Sequence, residues 1–262
     1  MTPPSPHADP SPAPSTCIRV VSLKSDAERR AAFSDSAAGT DLPWRYFDGY
    51  TQLAPGLDHD ADRVLKLWGV PLRKGEIGCY SSHWALWNEF LESEYDQMIV
   101  IEDDVLLDWN FIRLLTEKDF SAQGIPYLRL FALNFSKSSL VKPRFIGGQF
   151  RLVRFLDYVY GAQAYVLTRH GAEVLSRHCQ RVCRPVDVEM DRFWAHGLQN
   201  LCVFPFPALE RLSTSRIRND PFEAPPAPLR MKLQRTAHKL LEKVRKTVAQ
   251  RAPGSPVILD EF

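Results

Sequence analysis

Met98-Ile99-Val100-Ile101 runs without interruption into Glu102-Asp103-Asp104, and Val105-Leu106-Leu107 follows. A short continuous apolar run reads as a buried strand, so adjacent carboxylates fall at that strand's C-terminal end. In open α/β sheets this is the edge where ligands bind. Two carboxylates about 4 Å apart repel by roughly 4 kcal/mol at an effective dielectric near 20, or about three pKa units. Such a cluster stays ionised only if it is well solvated, splayed apart or neutralised by a cation. Oxygen-only ligands suit Mg2+ or Mn2+, ions usually shared with a substrate's phosphates. A solvated turn is the plain alternative. A receiver-type phosphoacceptor site is another, but its acidic pair would follow the first strand, whereas a long helical segment precedes this one.

The chain has 262 residues, 45% hydrophobic and 24% charged, which supports a full core and one α/β domain with tails. A net charge of only +2 argues against a dedicated nucleic-acid binder, so no nucleic-acid partner is expected. The five cysteines are odd in number, widely spaced and without a CxxC pair, as expected of free thiols in a reducing compartment. Residues 1–16 are rich in proline and serine and lack the basic and apolar stretches of a secretory signal. The expectation is a disordered N-terminus on a cytoplasmic protein, a domain over 17–222, and a tail over 223–262.

Ile18 to Leu23 reads as the first strand, Ser25 or Asp26 as the cap of a helix carrying Arg29 and Arg30, and Trp44 to Phe47 as a second strand. Between Arg73 and Glu94, Ile77, Tyr80, Trp84, Trp87 and Leu91 recur at helical spacing, with Glu76, Cys79 and His83 along the edge of that face. Trp109–Leu115 reads as helix and Tyr127–Leu133 as strand. Tyr160 to Leu167 reads as strand turning into a helix over Arg169–His178. Pro185 to Trp194 opens as an acidic helix start, with Asp187 and Asp191 one turn apart on one face, and Leu201–Phe204 reads as a last strand.

Asp187 and Asp191 would stabilise a helix N-terminus, and either would also serve as general base for an attacking hydroxyl within about 3 Å. His83, between tryptophans, reads as a hydrogen-bonded core histidine or a substrate contact. After the break at Glu223–Pro228, Leu229, Leu233, Ala237, Leu240, Val244 and Val248 repeat at helical spacing, and the opposite side carries Arg230, Lys232, Arg235, Lys239, Lys243, Arg245 and Lys246 against a lone Glu242. This is a basic amphipathic helix about 30 Å long, which points to an anionic membrane surface as a partner through residues 229–251. Peripheral attachment to the inner face of the cytoplasmic membrane is the expectation, and packing of the apolar stripe on the domain is the alternative.

Taken in order, several pieces resemble glycosyltransferase family 25, from about Arg19 to Arg218. The specific piece is Gly75-Glu76-Ile77-Gly78-Cys79 with Ser82-His83, followed about twenty residues later by Glu102-Asp103-Asp104. Val20-Val21-Ser22-Leu23 with Arg29-Arg30, Tyr160-Gly161 with Tyr165, Pro185-Val186-Asp187 with Asp191, and Ser215 with Ile217 complete it. Ser22 departs from the Asn usual in the family.

The resemblance implies a GT-A-like α/β fold with a mostly parallel central sheet flanked by helices. It implies inverting transfer of a sugar, typically galactose, from a UDP-sugar donor to a saccharide or lipid-linked saccharide acceptor, as in lipopolysaccharide or lipooligosaccharide biosynthesis. Mn2+ (or Mg2+) would be held by Asp104 and Glu102. Ser22, Leu23, Arg29, His83, Glu102 and Asp103 would face the donor, with Asp187 the first and Asp191 the second choice of catalytic base. The alternative is a binding or scaffold protein that keeps the fold without the chemistry.

Overall fold

The structure, a computed structural model, describes residues 13–211 and 229–251. The expected loop at Leu212–Ile217, the pieces at Ser215 and Ile217, and the break at Glu223–Pro228 lie outside the described residues. The chain order begins β1 (Thr16–Ser22), α1 (Ala27–Ser36), β2 (Trp44–Asp48), β3 (Asp58–His59), α2 (Ala61–Leu67), α3 (Lys74–Glu92) and β4 (Gln97–Glu102). It continues β5 (Val105–Leu107), α4 (Trp109–Thr116), β6 (Tyr127–Arg129), β7 (Ser138–Lys142), β8 (Arg151–Phe155), β9 (Ala164–Thr168) and α5 (Arg169–His178). It ends β10 (Arg181–Val182), α6 (Val186–Asp191), α7 (Phe193–His196), β11 (Leu201–Phe204), β12 (Ala208–Glu210) and α8 (Leu229–Arg251).

The eight-stranded sheet has the order β2-β1-β4-β9-β6-β11-β8-β7. Only β8 and β9 run against the others, so the sheet is mixed, with β2, β1 and β4 a parallel block. β4 is an interior strand of the sheet, between β1 and the antiparallel β9, and Met98, Ile99, Val100 and Ile101 are all fully buried. Met98 and Val100 join the core under α3 and α5, while Ile99 and Ile101 join the opposite core with Phe33 and Phe111. Burial on both faces explains why the strand is apolar throughout rather than alternating.

Residues 13–16, expected to belong to the disordered N-terminus, are described, and residues 1–12 lie outside the described residues. Ser15 donates from both its amide and its hydroxyl to Asp96, each at 2.8 Å, and Thr16 opens β1. Asp26 caps α1 by accepting from the Arg29 amide. The strand expected over Tyr160–Leu167 starts only at Ala164, because Tyr160 (φ 58) and Gly161 (φ 83) adopt left-handed backbone that no strand accommodates. The helix expected through Trp194 breaks at Arg192 into α6 and α7.

On α3 the buried face is wider than its apolar spacing suggests. Tyr80, His83, Trp87 and Phe90 are buried, and so are the small residues Gly78, Ser81 and Ser82. These small residues let a loop lie against the helix backbone. Ser82 Oγ accepts from the Tyr50 amide at 2.8 Å and donates to the Gly78 carbonyl at 2.7 Å, while Ser81 Oγ accepts from the Ala54 amide at 3.0 Å. A Cβ at Gly78 would stand 2.5 Å from the Tyr50 carbonyl oxygen. Gly78→Ala should therefore cost about 1–3 kcal/mol by overpacking, read as a lower denaturation midpoint. Gly39→Ala, with open space around it, should not lower it.

Candidate active site

The C-terminal ends of β1 and β4 lie side by side, Val21 opposite Glu102, and the chain turns there through Asp103 and Asp104. The turn is pinned from three directions. Asp103 donates its amide to the Val21 carbonyl at 3.2 Å, Glu102 to Gln163 at 2.7 Å, and the Asp104 carbonyl accepts from the Arg211 amide at 2.6 Å. Two adjoining cavities open over this edge. One, of about 400 Å3, is lined by Ser22, Leu23, Arg29, Glu102, Asp103 and Asp104, with the loop at Gly49–Thr51 and the start of α3 opposite. The other, of about 310 Å3, is lined by Glu76, Tyr160, Gly161, Asp187 and their neighbours. Cys79 and Glu102 border both, so the two form one cleft divided at Glu102.

The carboxylates at the edge are handled differently. Asp103 pairs with the Arg29 guanidinium and is hydrogen-bonded to the Ser22 hydroxyl, while burial pushes its carboxyl up. Ser22 also accepts from Arg30 Nε at 3.2 Å, and Arg30 reaches Asp48 at 2.6 Å. Arg29 extends to Asp104 at 3.0 Å. Arg29 is thus the internal counterion of the cluster, a role its position in the sequence does not disclose. Asp104 is neutralised less completely: burial first, then the Glu102 charge, push its carboxyl up to about 7. Its Oδ1 is buried with no hydrogen-bond partner among the described residues. An orphaned, desolvated carboxylate oxygen beside a second carboxylate is a donor set that fits a hard divalent cation.

His83 is fully buried, with Nδ1 2.8 Å from Tyr165 Oη and Nε2 3.0 Å from Glu102 Oε1. Trp87 Nε1 donates to the same Tyr165 hydroxyl at 2.7 Å. The Glu102 carboxylate only accepts, so the proton between them sits on His83 Nε2, and the Tyr165 hydroxyl bridges Trp87 Nε1 and His83 Nδ1. His83 fixes Glu102 rather than presenting a free nitrogen to the cleft. Cys79 Sγ, His83 and Glu102 also bring ligand atoms within 4.8 Å of one another. That set is closed by the His83–Glu102 hydrogen bond, and burial pushes the Cys79 thiol up, against ionisation.

The two aspartates of α6 part company. Asp187 lines the cleft, its Oδ2 accepting from the Gly161 amide at 3.0 Å and its Oδ1 from the Val188 amide at 2.8 Å. Burial pushes its carboxyl up, Asp191 adds to the push, and the amide bonds work against both. Asp191, the second choice of base, lies inside the protein with no exposure and borders neither half of the cleft. It accepts from Arg129 Nη2 at 2.7 Å, Asn200 Nδ2 at 2.9 Å, and the amides of Val159 at 2.9 Å and Tyr160 at 2.7 Å. Both oxygens are occupied twice, which corrects the expectation that Asp191 is available as a base. Asp191 and Arg129, which also donates to the Gly161 carbonyl, hold the left-handed Tyr160–Gly161 loop that presents an amide to Asp187. The partners of Asp191 are 9 to 62 residues away in sequence, so local spacing carries no sign of them.

Comparison with known proteins identifies the family. Residues 16–190 match the family model described as glycosyltransferase family 25 (LPS biosynthesis protein). Lipooligosaccharide biosynthesis protein lic2B of Haemophilus influenzae is 26% identical over 165 residues, 61% of this chain and 62% of its own. Lacto-N-neotetraose biosynthesis glycosyltransferase LgtE of Neisseria gonorrhoeae is 34% identical over 99 residues, 37% of this chain and 35% of its own. Procollagen galactosyltransferase 1 of Danio rerio is 30% identical over 111 residues, 42% of this chain and 18% of its own. The chain spans about three fifths of the length of the two Haemophilus influenzae relatives it matches.

Proposed function

The chain belongs to glycosyltransferase family 25, and from that premise we propose that it is an inverting glycosyltransferase acting in lipopolysaccharide or lipooligosaccharide biosynthesis, with a UDP-sugar, galactose first among candidates, as donor. The observation that carries this reading is Asp104, which lines a cavity of about 400 Å3 at the C-terminal ends of β1 and β4 beside Glu102 and has a buried carboxylate oxygen with no hydrogen-bond partner among the described residues. Asp104 and Glu102 would hold Mn2+ or Mg2+, which when bound offsets charge growing on the leaving diphosphate. Arg29 supplies positive charge from the protein's own side. Asp187 accepts the proton of the acceptor hydroxyl. That oxygen attacks the anomeric carbon from the face opposite the diphosphate, and the carbon–oxygen bond to UDP breaks.

A panel of UDP-, GDP- and CMP-sugars, scored for donor hydrolysis with and without Mn2+, tests this. The expected result is release of UDP alone, stimulated by Mn2+. Hydrolysis of none, or equal rates for all with no metal effect, would end the reading.

The acceptor proposal draws on α8. The helix docks on the domain by its polar side: Trp194 Nε1 donates to Glu242 at 2.9 Å, Arg192 pairs with Glu242 at 2.8 Å, and Lys246 pairs with Asp157 at 2.6 Å. Leu240, Val244 and Val248 face solvent, each more than half exposed. No helix among the described residues is long and apolar enough to cross a membrane. An exposed apolar stripe flanked by Lys239, Lys243 and Arg245 suits the surface of an anionic bilayer, where basic side chains contribute about 1 kcal/mol each. Leu240→Ser with Val244→Ser and Val248→Ser should sharply reduce flotation with phosphatidylglycerol vesicles. Undiminished flotation would remove the membrane proposal.

A further inference from the structure

A third cavity, of about 680 Å3, lies on the other side of α6 from the cleft, between α2, α5, β10 and α8. Six arginines line it, Arg63, Arg177, Arg181, Arg184, Arg192 and Arg245, with His178 and His238, against the carboxylates of Asp58 and Glu189 alone. The floor is rigid. Glu189 accepts from Arg184 at 2.8 Å, Arg192 at 2.5 Å and His178 at 2.9 Å. Against the upward push of burial, these donors hold its carboxyl far below the usual range. Arg184 also reaches His238 Nε2 of α8 at 2.6 Å. On the rim, Arg181 pairs with Asp58 at 2.8 Å, while Arg245 is 3.9 Å from Glu242. The side chains of Arg63 and Arg177 make no hydrogen bond or ion pair among the described residues. Even with Glu242 counted, six arginines face three carboxylates, an excess of positive charge among the described residues.

We propose that this cavity is an anion site that takes the phosphate or diphosphate group of a phosphorylated saccharide or lipid headgroup. The volume is that of a small-molecule site rather than a nucleic-acid groove. Guanidiniums, unlike ammonium groups, clasp phosphate oxygens two at a time, and a singly charged carboxylate would leave most of the excess unbalanced. The position also suits an acceptor. Arg184, Glu189 and Arg192 face this cavity from the same short segment that turns Asp187 into the cleft. The proposal concerns anion binding itself, and it stands or falls separately from the assignment of Asp187 as base.

Inorganic pyrophosphate titrated calorimetrically into the full chain is the test, with Arg63→Glu/Arg177→Glu, Arg63→Lys/Arg177→Lys and Asp104→Asn compared. Both arginines are exposed, and unchanged melting temperatures verify that the variants fold. One saturable site is expected, weakened about tenfold or more by charge reversal, less by lysine, and unaltered by Asp104→Asn. Affinity unchanged by charge reversal, or lost only with Asp104→Asn, would put the anion elsewhere and overturn the proposal. Phosphatidylcholine vesicles with and without phosphatidic acid separate the sources. Vesicle binding that needs phosphatidic acid and is lost in Arg63→Glu/Arg177→Glu identifies a headgroup as the ligand, and vesicle binding unchanged in that variant identifies a soluble or saccharide phosphate.

Discussion

Asp104→Asn should make the protein more stable and abolish its transferase activity at once. The carboxyl is held up to about 7 by burial and by Glu102, against about 3.9 in an unfolded chain. Between those values the folded state keeps a proton that the unfolded chain has released, so stability falls as pH rises through that window and stays low above it. A shift of about three units corresponds to about 4 kcal/mol at most. The amide variant removes the charge but keeps the desolvated shape, so a gain on the order of 1–3 kcal/mol is expected at about pH 8 without divalent metal, and little at about pH 4. Melting curves at both pH values, in chelator, read it. Transfer should fall at least about 100-fold, the scale of losing several kcal/mol of charge stabilisation on the leaving group. A destabilised but active variant would contradict both halves.

Asp191→Ala and Asp187→Asn should separate, although the two positions share a helix and look alike in sequence. Removing the Asp191 carboxylate leaves Arg129 buried without its counterion, and breaking such a pair costs about 3–5 kcal/mol. It also strips acceptors from Asn200 and from the amides of Val159 and Tyr160. The denaturation midpoint should fall steeply, and any lost activity should follow from lost structure. Asp187→Asn should keep the fold, because an amide oxygen still accepts from Gly161, and should lower kcat by about 10²–10⁴ through loss of the base. Burial raises the Asp187 carboxyl, and a base works only when deprotonated. Activity should therefore rise with pH through its displaced titration, and that limb should vanish in the amide variant. Equal stability losses in the two variants would show that the aspartates share one structural role.

The parts legible in the sequence are those governed by local pattern. The apolar run of β4 and the carboxylates after it appear where strand length and burial dictate, and Asp26 caps α1 because the cap lies beside the turn it serves. The parts that were not legible depend on distant partners. Spacing on α3 marks an apolar face, yet the small residues Gly78, Ser81 and Ser82 are buried because of the loop at Tyr50 to Ala54. Asp191 resembles a helix-start carboxylate until Arg129 is brought beside it. On α8, periodicity separates two faces but cannot say which one docks. The polar one does, because Arg192, Trp194 and Asp157 offer it partners. Arg29 reads as a donor contact from its motif, but the fold also gives it Asp103 and Asp104 to neutralise.

The most direct test of the account is a crystal of the protein soaked with UDP and Mn2+. The pyrophosphate is expected at the C-terminal ends of β1 and β4, with metal density joining it to Asp104 and Glu102 and with the uridine toward Ser22 and Leu23. Nucleotide bound instead in the arginine-lined cavity beneath α8, with no metal at Asp104, would contradict it.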